Sequence, residues 1–399
     1  MREEQGAARS ARLFADPERR LAWLKCALCV GFAGGALVSW RVWLSTRFLP
    51  LTPAFSVPPT PFPFDYALLA GLLALLGWIA HAKRPSYSIA ALLLLLAFLL
   101  LQDQGRLYPS VYEYFFMLSA LALFGFSRSM KADVPLRTAR LIVVCIYFWS
   151  GVQKINQEFT PEVLPLLIDP ALHFSSSSAA RIWVLTFAGL AAPLFEIALG
   201  IGLLTQKYRS KALAAALSMH IFLFFAIGPF WNTWLKAAWE WNLVAGILVF
   251  VLFYEAEGET WKETLFQQQF LHGMVVLLFG VLPVLNFFNL WDSALAFNMF
   301  SGNATRGTVY VDDALVRQLP KEIRSHVRKD RRDRTVVDLD RLSQAEFNAG
   351  LYAEPRIFRR IARTFCAYVV NPDDAVLVIR EKSGWLGTRP PQTFTCPSM

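Results

Sequence analysis

The sequence contains little charge. Only 17% of its 399 residues are Asp, Glu, Lys or Arg, whereas soluble domains carry about 25%. Hydrophobic residues make up 55% of the chain. This balance excludes an ordinary soluble globular protein, and it predicts an integral membrane protein whose main partner is the lipid bilayer.

The sequence also lacks the common motifs of soluble enzymes. It contains no glycine-rich phosphate loop, no nucleophile elbow and no HExxH motif. The five histidines show no metal-ligand spacing, so we expect no metal site. The net charge of +9 does not indicate a nucleic-acid partner, because Lys and Arg at the ends of membrane helices set orientation.

Cysteine is scarce as well, with five residues. Cys26 and Cys29 have the C-x-x-C spacing of redox motifs, but they lie in an apolar run without a βαβ context, so we interpret them as small buried hydrophobic residues. Cys366 and Cys396 both lie in the polar C-terminal part. If that part is outside the cytoplasm they can form a disulfide, and the sequence leaves this open.

What the sequence has instead is nine apolar runs, several of them short. They lie at 21–40, 66–80, 88–101, 112–126, 141–157, 182–204, 212–227, 241–254 and 270–290. No small-residue cleavage site follows the first run, so we expect an uncleaved helix. The fold class predicted is an all-α polytopic membrane bundle of about nine transmembrane helices with a small C-terminal α+β domain. Its parts are an N-terminal segment at 1–20, a helical transmembrane domain at 21–290 and the α+β domain at 291–399.

Basic residues alternate between the connections of this bundle. The segments at 1–20, 83–84, 128–140 and 207–211 are basic, whereas the connections between them hold few Lys or Arg. The positive-inside rule then predicts a cytoplasmic N-terminus. With nine spans the C-terminal domain is extracytoplasmic, and we expect a multi-pass protein of the bacterial inner membrane.

The C-terminal domain mixes strand and helix patterns. Segments 307–311, 375–380 and 393–396 are predicted strands. Helices are predicted at 321–328 and 342–369, the second interrupted at Glu354-Pro355 because proline disfavours helix continuation. The basic run 324–334, interleaved with aspartates, is interpreted as a solvated helix.

A lysine interrupts the fifth apolar run. Tyr147, Gly151, Lys154 and Glu158 are spaced i, i+4, i+7 and i+11, which places them on one face of a helix. A lysine deep in the bilayer costs about 2.5 to 3.5 kcal/mol, so it needs a partner, a wet cavity or a function. Two interpretations stay open: Lys154 reaches outward or pairs with Glu158, or it is a desolvated amine that acts as a general base.

Glu196 and His220 lie on two consecutive runs joined by a short basic hairpin. Counted from that hairpin they fall at nearly the same depth, which predicts a direct hydrogen bond between them. Lys154 lies roughly 21 Å from the cytoplasmic end of its run and the pair about 12 to 14 Å, so we expect a polar column and not a three-residue contact. The alternative is a structural pair that holds the two helices together.

A polar connection precedes the fourth run. Asp103 and Arg106 can pair in a tight turn there, or they can belong to a lid over an outward-facing cavity that binds a ligand. Both alternatives stay open at this point.

Three stretches resemble a known family. Residues 147–156 read Y-F-W-S-G-V-Q-K-I-N and are similar to the Y-F-x-x-G-x-x-K-L signature of the HTTM (horizontally transferred transmembrane) family, which is related to the membrane domain of vitamin K-dependent γ-glutamyl carboxylase. P-L-F-E at 193–196 with G-I-G-L-L at 200–204, and His220 followed by I-G-P-F at 227–230, agree with it in order. The resemblance implies a many-helix membrane domain with an extracytoplasmic C-terminal domain, and it implies base chemistry on a quinone or quinol at Lys154.

The sequence departs from the carboxylase at three places. Gln153 stands where that enzyme has a second lysine, Leu223 where it has an asparagine, and Ser110 about where it has a histidine. These departures argue against true γ-glutamyl carboxylation. A lipid-soluble, quinone-type small molecule remains the ligand that the resemblance implies.

Two functional hypotheses follow, and the sequence does not decide whether the protein is an enzyme. In the first, Lys154, Glu196 and His220 are catalytic in proton or redox chemistry, and Tyr147, Gly151, Glu158, Asp103 and Arg106 help to bind the quinone-type ligand. In the second, the protein is a non-enzymatic scaffold or transporter component, and the same residues form a structural polar network.

Overall fold

The protein is described by a computed structural model that covers residues 16–172, 178–227, 236–256, 259–384, 387, 389–396 and 398. Most of these residues are helical, and a small sheet follows the last long helix. The helices are α1 (Pro17–Val38), α2 (Phe64–His81), α3 (Ser86–Gln102), α4 (Pro109–Phe126), α5 (Asp133–Gln153), α6 (Leu164–Leu172), α7 (Ala179–Leu204), α8 (Arg209–Ile227), α9 (Lys236–Phe253), α10 (Trp261–Leu265) and α11 (Phe270–Phe288).

Eight of these helices, within the described residues, are long and apolar enough to cross a membrane. The third predicted run forms α3, an apolar helix of 17 residues, which at 1.5 Å per residue is about 26 Å long. An apolar helical bundle is therefore confirmed, and it is compatible with a multi-pass membrane protein. The count of nine spans stays a prediction.

The helices differ in how much of their surface the protein covers. In the apolar part of α5, 72% of the residues are buried inside the protein, whereas in that of α7 only 22% are. Along α7, Trp183 and Phe187 are 76% and 74% exposed. Such a continuous exposed apolar face is what a lipid-facing helix presents. Helix α5 is thus central to the bundle, and it carries Lys154 at its end.

Two glycines bring α5 and α7 close together. A Cβ on Gly151 would lie 2.6 Å from the backbone oxygen of Pro193, and one on Gly200 would lie 3.0 Å from the backbone oxygen of Val144. Small residues of this kind let helix backbones approach in membrane bundles. The two contacts run in opposite chain directions, so the helices are antiparallel and Glu196 on α7 lies beside the last turns of α5.

The C-terminal domain is built on an antiparallel sheet of β1 (Arg306–Val311), β2 (Val327–Lys329), β3 (Thr335–Asp338), β4 (Ala375–Arg380) and β5 (Gln392–Thr395), in the order β2-β3-β1-β4-β5. Val309 of the central strand pairs with Val337 on one side and with Leu377 on the other. The three predicted strands correspond to β1, β4 and β5. Strands β2 and β3 were not predicted.

The basic run at 324–334 is a hairpin, and its interpretation as a solvated helix was wrong. Helix α13 (Lys321–Arg324), which follows the short helix α12 (Asp313–Val316), ends before the run reaches β2. The Asp330 carboxylate accepts the backbone N–H groups of Arg332 and Arg334, and Asp333 has a positive φ of 59°. Aspartate stabilises a turn in this way. The chain therefore reverses direction here, although the alternating charges of the run suggested a helix.

The second predicted helix of the domain is interrupted before Pro355, as the sequence predicted. Helix α14 (Leu339–Phe347) ends at Asn348, which has a left-handed φ of 56°. Helix α15 begins at Pro355 and runs over Pro355–Ala362, with the proline in its first turn. The break at Glu354-Pro355 is therefore confirmed, although the first segment begins earlier than predicted.

The domain rests on one end of the bundle through polar contacts. The Glu346 carboxylate accepts the backbone N–H groups of Phe48 and Leu49, at 2.6 and 2.9 Å. The Asn348 side chain donates to the backbone oxygen of Val38 at the end of α1. Arg356 forms an ion pair with Asp292, just beyond the last long helix. We refer to this end of the bundle as the domain-facing end.

Cys366 and Cys396 form a disulfide, with Cα atoms 5.7 Å apart. It joins the 3-10 turn after α15 to the end of β5. Cys29 and Cys145 are free and buried, as expected of small hydrophobic residues, whereas Cys26 is only partly buried.

Removing the disulfide is expected to destabilise the C-terminal domain by about 2 kcal/mol, because the cross-link limits the unfolded chain. The double variant Cys366→Ala/Cys396→Ala should then be cut faster by protease in this domain than the unchanged protein. Cys145→Ala is the control, since that thiol lies in the bundle and is not cross-linked. Equal digestion rates of the double variant and the unchanged protein would contradict the prediction.

Candidate functional site

The end of α5 differs from the predicted helix. Lys154 caps the helix, and its backbone N–H donates to the oxygen of Gly151. The chain then turns, and the Asn156 side chain accepts the N–H groups of Glu158 and Phe159. The predicted span to residue 157 is therefore too long. Because the helix stops, Glu158 does not continue the face of Tyr147 and Lys154.

The Lys154 ammonium group is buried and has three partners. It donates to Glu196 Oε2 at 2.7 Å, to Ser150 Oγ at 2.6 Å and to the Ser150 backbone oxygen at 3.2 Å. The two charged side chains are only 8% and 14% exposed. The suggested pair with Glu158 was wrong, because the lysine pairs across to α7.

Glu196 does not bond to His220, so the predicted pair was also wrong. The depth argument counted residues from the predicted ends of the helices. The packing of Gly151 and Gly200 instead sets the level of Glu196 close to Ser150. A long side chain on a helix leans toward the N-terminus, so Lys154 reaches back over Ser150 to that level. The expected separation of Lys154 from the carboxylate is therefore absent.

His220 bonds to two other side chains. Its Nδ1 lies 2.8 Å from Asn242 Oδ1, and its Nε2 lies 2.5 Å from the Tyr147 hydroxyl. The Asn242 amide nitrogen donates to the His220 backbone oxygen, so the amide oxygen faces the ring as an acceptor. This arrangement assigns the ring proton to Nδ1 and leaves Nε2 to accept the Tyr147 O–H.

Both polar groups line one apolar cavity of about 690 Å³. We call it the lysine cavity, and its polar lining residues are Glu113, Tyr147, Ser150, Lys154, Glu196, Ser218, His220 and Asn242. Apolar side chains form most of the rest, among them Val143, Ile146, Phe159, Leu164, Ala192, Phe195, Met219, Phe222, Leu223, Phe297, Met299 and Phe300. The volume lies in the range of ordinary ligand sites, which are about 300 to 1,000 Å³.

Other lining residues were not identified from the sequence. Ser150 lies one helical turn before Lys154, and Asn242 is a polar residue in an apolar run. Both could therefore have been recognised in the sequence as candidate site residues. Glu113 is 2% exposed and accepts the Trp241 indole N–H at 3.2 Å. A carboxylate that begins an apolar run is a comparable signal, but the sequence does not reveal that its helix faces this cavity.

Gly151 serves helix packing and is not among the residues that line the lysine cavity. Its backbone is covered by Pro193 and Ile197 of α7. The sequence interpretation allowed either a neighbouring helix or a ligand beside this glycine. The structure places the helix there.

Asp103 and Arg106 lie outside the lysine cavity. Both are fully buried, and the Asp103 carboxylate pairs with Arg47 at 2.7 Å and with Arg106 at 3.9 Å. Arg106 also donates to the backbone oxygens of Val42, Leu99 and Trp43. Burial alone would raise the pKa of Asp103, but the two guanidinium groups and bonds from Thr52 lower it. The pair in a tight turn is what the structure has, and it holds the connections of the domain-facing end together.

The cavity arrangement is suited to moving a proton. The Lys154 amine and the Glu196 carboxylate share a hydrogen bond inside an apolar space, and Tyr147 and His220 form a second bond one helical turn away on α5. Among the described residues no cluster of three or more His, Cys, Asp or Glu side chains is placed to hold a metal ion. The groups named are of the kinds that serve as general acids and bases.

The resemblance to the HTTM family rests on residues that are now placed. Lys154 and Glu196, from two of its three stretches, are paired in the structure. His220 of the third stretch faces the same cavity, whereas residues 228–230 lie outside the described residues. Comparisons with protein-family models, curated proteins and solved structures find no match for this chain, so the family assignment stays a prediction.

Proposed function

We propose that the chain is an HTTM-like protein that crosses the membrane nine times and binds a quinone-type lipid in the lysine cavity. Lys154, Glu196 and His220 carry proton chemistry on this ligand. The N-terminus lies in the cytoplasm and the C-terminal domain outside it, in a bacterial inner membrane. The proposal does not extend to γ-glutamyl carboxylation, because of the departures at Gln153 and Leu223.

The observation that carries the proposal is a charged pair facing a mainly apolar cavity. A structural ion pair needs no space beside it, yet Lys154 and Glu196 border a cavity of about 690 Å³. A quinone is a flat ring with two oxygen atoms and an apolar tail, and the cavity is lined by both polar groups and apolar side chains. The oxygens can exchange hydrogen bonds with the pair while the tail lies against Phe195, Phe222 and Leu223.

The position of two phenylalanines supports a ligand that enters from the bilayer. Phe195 on α7 and Phe222 on α8 line the cavity and are nevertheless 43% and 51% exposed. The apolar space therefore continues to the outer surface between these helices. A lipid-soluble molecule can enter by this route without crossing water.

The side chains suggest one proton-transfer step. When a quinol hydroxyl meets the Glu196 carboxylate, the proton passes from the quinol oxygen to the carboxylate. The quinolate oxygen is then paired with the Lys154 ammonium group, which already lies 2.7 Å from the carboxylate. The Tyr147 oxygen, whose own O–H is held by His220, can accept the hydrogen of the opposite hydroxyl. The number of protons and charges is unchanged, since Glu196 gains what the ligand loses.

The disulfide supports the proposed orientation. Disulfides persist in oxidising compartments outside the cytoplasm, and Cys366 and Cys396 are joined. The alternation of basic connections points the same way. An enzymatic reporter fused after Ser398 should be active outside the cytoplasm, and activity inside would mean an even number of spans.

Binding of a quinone is tested with menaquinone-4 and purified full-length protein in detergent. The variant Lys154→Met/Glu196→Gln removes both charges together, so neither is left unpaired in the bundle. We expect this variant to bind the probe at least about tenfold more weakly, since charge-assisted hydrogen bonds are lost. Calorimetric titration gives the affinity. Lys207→Met, in the connection between α7 and α8, is the control and should bind as the unchanged protein does.

A scaffold or transporter component is the second candidate, and one observation favours it. The hydrogen bonds of Lys154 to Ser150 and Glu196, and of His220 to Tyr147 and Asn242, already occupy these polar atoms. Such a network can serve only to join helices. If the double variant folds, and neither it nor the unchanged protein binds menaquinone-4 or carries a quinone in lipid extracts, this second function holds and the first is wrong.

A further inference from the structure

A second cavity lies between the domain-facing end of the bundle and the C-terminal domain. Its volume is about 380 Å³. The ends of α1, α4 and α9 form its floor, and α14 with the segment after it forms its cover. We call it the interdomain cavity. It shares only a few wall residues with the lysine cavity, among them Trp241 and Met299.

Four buried polar groups of this cavity are unsatisfied. Within the described part of the chain, Trp43 Nε1, the Tyr114 hydroxyl, Glu240 Oε1 and Asn298 Oδ1 have no hydrogen-bond partner. Trp43 is 3% exposed and Tyr114 is 2% exposed. A buried polar group without a partner costs about 1 to 3 kcal/mol, so a cluster of four in one cavity indicates a missing partner.

The charges around the cavity are mainly negative. Glu240 and Asp340 line it, and the one cationic side chain in its described lining is Arg306. Arg306 is already committed to an ion pair with Glu162, and it also donates to the backbone oxygen of Gly302. Burial, with a contribution from the carboxylate of Asp338, raises the pKa of Asp340 to about 6, so this group is ionised at neutral pH. Arg306 lies near enough to Asp340 to lower the pKa of that carboxyl somewhat, whereas Glu240 forms no ion pair with a described residue.

The uncharged walls are aromatic. Phe32, Trp43, Tyr108, Tyr114, Trp241 and Tyr352 all line the cavity. The faces of such rings attract cations, and aromatic cages recognise organic ammonium groups in this way. An anion would meet two carboxyl groups and these aromatic rings here, which disfavours it.

Helix α1 is shaped to leave Glu240 at the cavity. A Cβ on Gly34 would lie 3.2 Å from Glu240 Oε1, and one on Gly35 would lie 3.0 Å from Glu240 Oε2. A Cβ on Gly31, one turn earlier, would lie 3.2 Å from the Tyr114 hydroxyl. Larger side chains at these positions would push the carboxylate and the hydroxyl away from α1. The helix surface thus accommodates two of the four unsatisfied groups.

We propose that the interdomain cavity binds a small organic amine, with its ammonium group between Glu240 and the aromatic walls. The Tyr114 hydroxyl and Trp43 N–H face a hydrogen-bond acceptor on the same molecule, such as a hydroxyl or carbonyl oxygen. The ligand is therefore an amine that also carries an oxygen function. Its place between bundle and domain makes it accessible from the side of the C-terminal domain.

The proposal is tested with three probes of the same shape on purified full-length protein. These are 2-amino-1-phenylethanol, the neutral 1-phenylethane-1,2-diol and the anionic mandelate, each with a hydroxyl oxygen for Tyr114 and Trp43, and titration calorimetry gives their affinities. We expect the amine to bind at least tenfold more tightly than the alcohol, and mandelate not to bind. Glu240→Gln should weaken the amine at least tenfold and leave the alcohol unchanged, because only the charge is removed. Tyr114→Phe should weaken the amine less.

Two controls separate this site from the lysine cavity and from general charge effects. Glu322→Gln removes an exposed carboxylate of the C-terminal domain and should bind the amine normally. The variant Lys154→Met/Glu196→Gln should also bind it normally, and Glu240→Gln should bind menaquinone-4 normally. Equal affinities for amine and alcohol, or an unchanged amine affinity in Glu240→Gln, would overturn the proposal and leave the cavity to water.

Discussion

Glu196→Gln is expected to destabilise the helical bundle by about 3 kcal/mol, because it leaves the Lys154 ammonium group buried without its counter-charge. Glutamine keeps the shape and can still accept a hydrogen bond, so the change isolates the charge. Lys154 is only 7% exposed. Thermal unfolding of the purified protein in detergent should show a clearly lower midpoint.

The matched control is the double variant Lys154→Met/Glu196→Gln. It removes both charges, and uncharged side chains of similar size often replace a buried pair with little loss. Its midpoint should therefore return most of the way to that of the unchanged protein. If both variants unfold at the same temperature, the loss of stability does not come from an unpaired Lys154 charge, and the prediction is wrong.

An exposed ion pair provides a second comparison. Lys329 pairs with Asp313 on the surface of the C-terminal domain at 2.8 Å. Exposed pairs contribute little, because water screens them and both side chains lose freedom. Lys329→Met should leave the unfolding midpoint almost unchanged. The contrast between the two pairs follows from burial and not from distance, which is nearly the same.

Much of the fold could be predicted from the sequence, because helices and strands follow from local residue patterns. Apolar runs predicted the long helices, and β-branched residues predicted β1, β4 and β5. Pro355 marked the start of α15, since its ring and missing N–H allow only the first turn of a helix. The pair β2 and β3 escaped prediction, because each strand is short and the charged turn at Asp330 resembled a solvated helix.

The site could be predicted only as a set of residues. Lys154, Glu196 and His220 were identified because each is costly in an apolar run, and all three line the lysine cavity. Their partners depend on which helices are neighbours and how far each is shifted along the other. The packing of Gly151 against α7 sets the shift that pairs Lys154 with Glu196. Asn242 lies on α9, and nothing in the sequence shows that α9 packs beside α8 and brings Asn242 to His220.

Gly151→Ala is the second change with a large expected effect. The new Cβ would lie 2.6 Å from the oxygen of Pro193 and 2.8 Å from the nitrogen of Ile197, both of them backbone atoms that cannot rotate away. Overpacking of this kind costs about 3 kcal/mol, which exceeds the gain of about 1 kcal/mol that alanine brings to a helix. A lower unfolding midpoint in detergent is the expected measurement.

Gly77→Ala is the matched control, because a Cβ at Gly77 of α2 would meet no other described atom within 4 Å. That variant should be as stable as the unchanged protein or slightly more stable. A further consequence distinguishes packing at this contact from a general loss of stability. Moving α7 away from α5 separates Glu196 from Lys154, so folded Gly151→Ala should bind menaquinone-4 more weakly at a temperature well below its midpoint. Unchanged binding would mean that the two helices can separate without disturbing the pair, and that the glycine contact does not position the site.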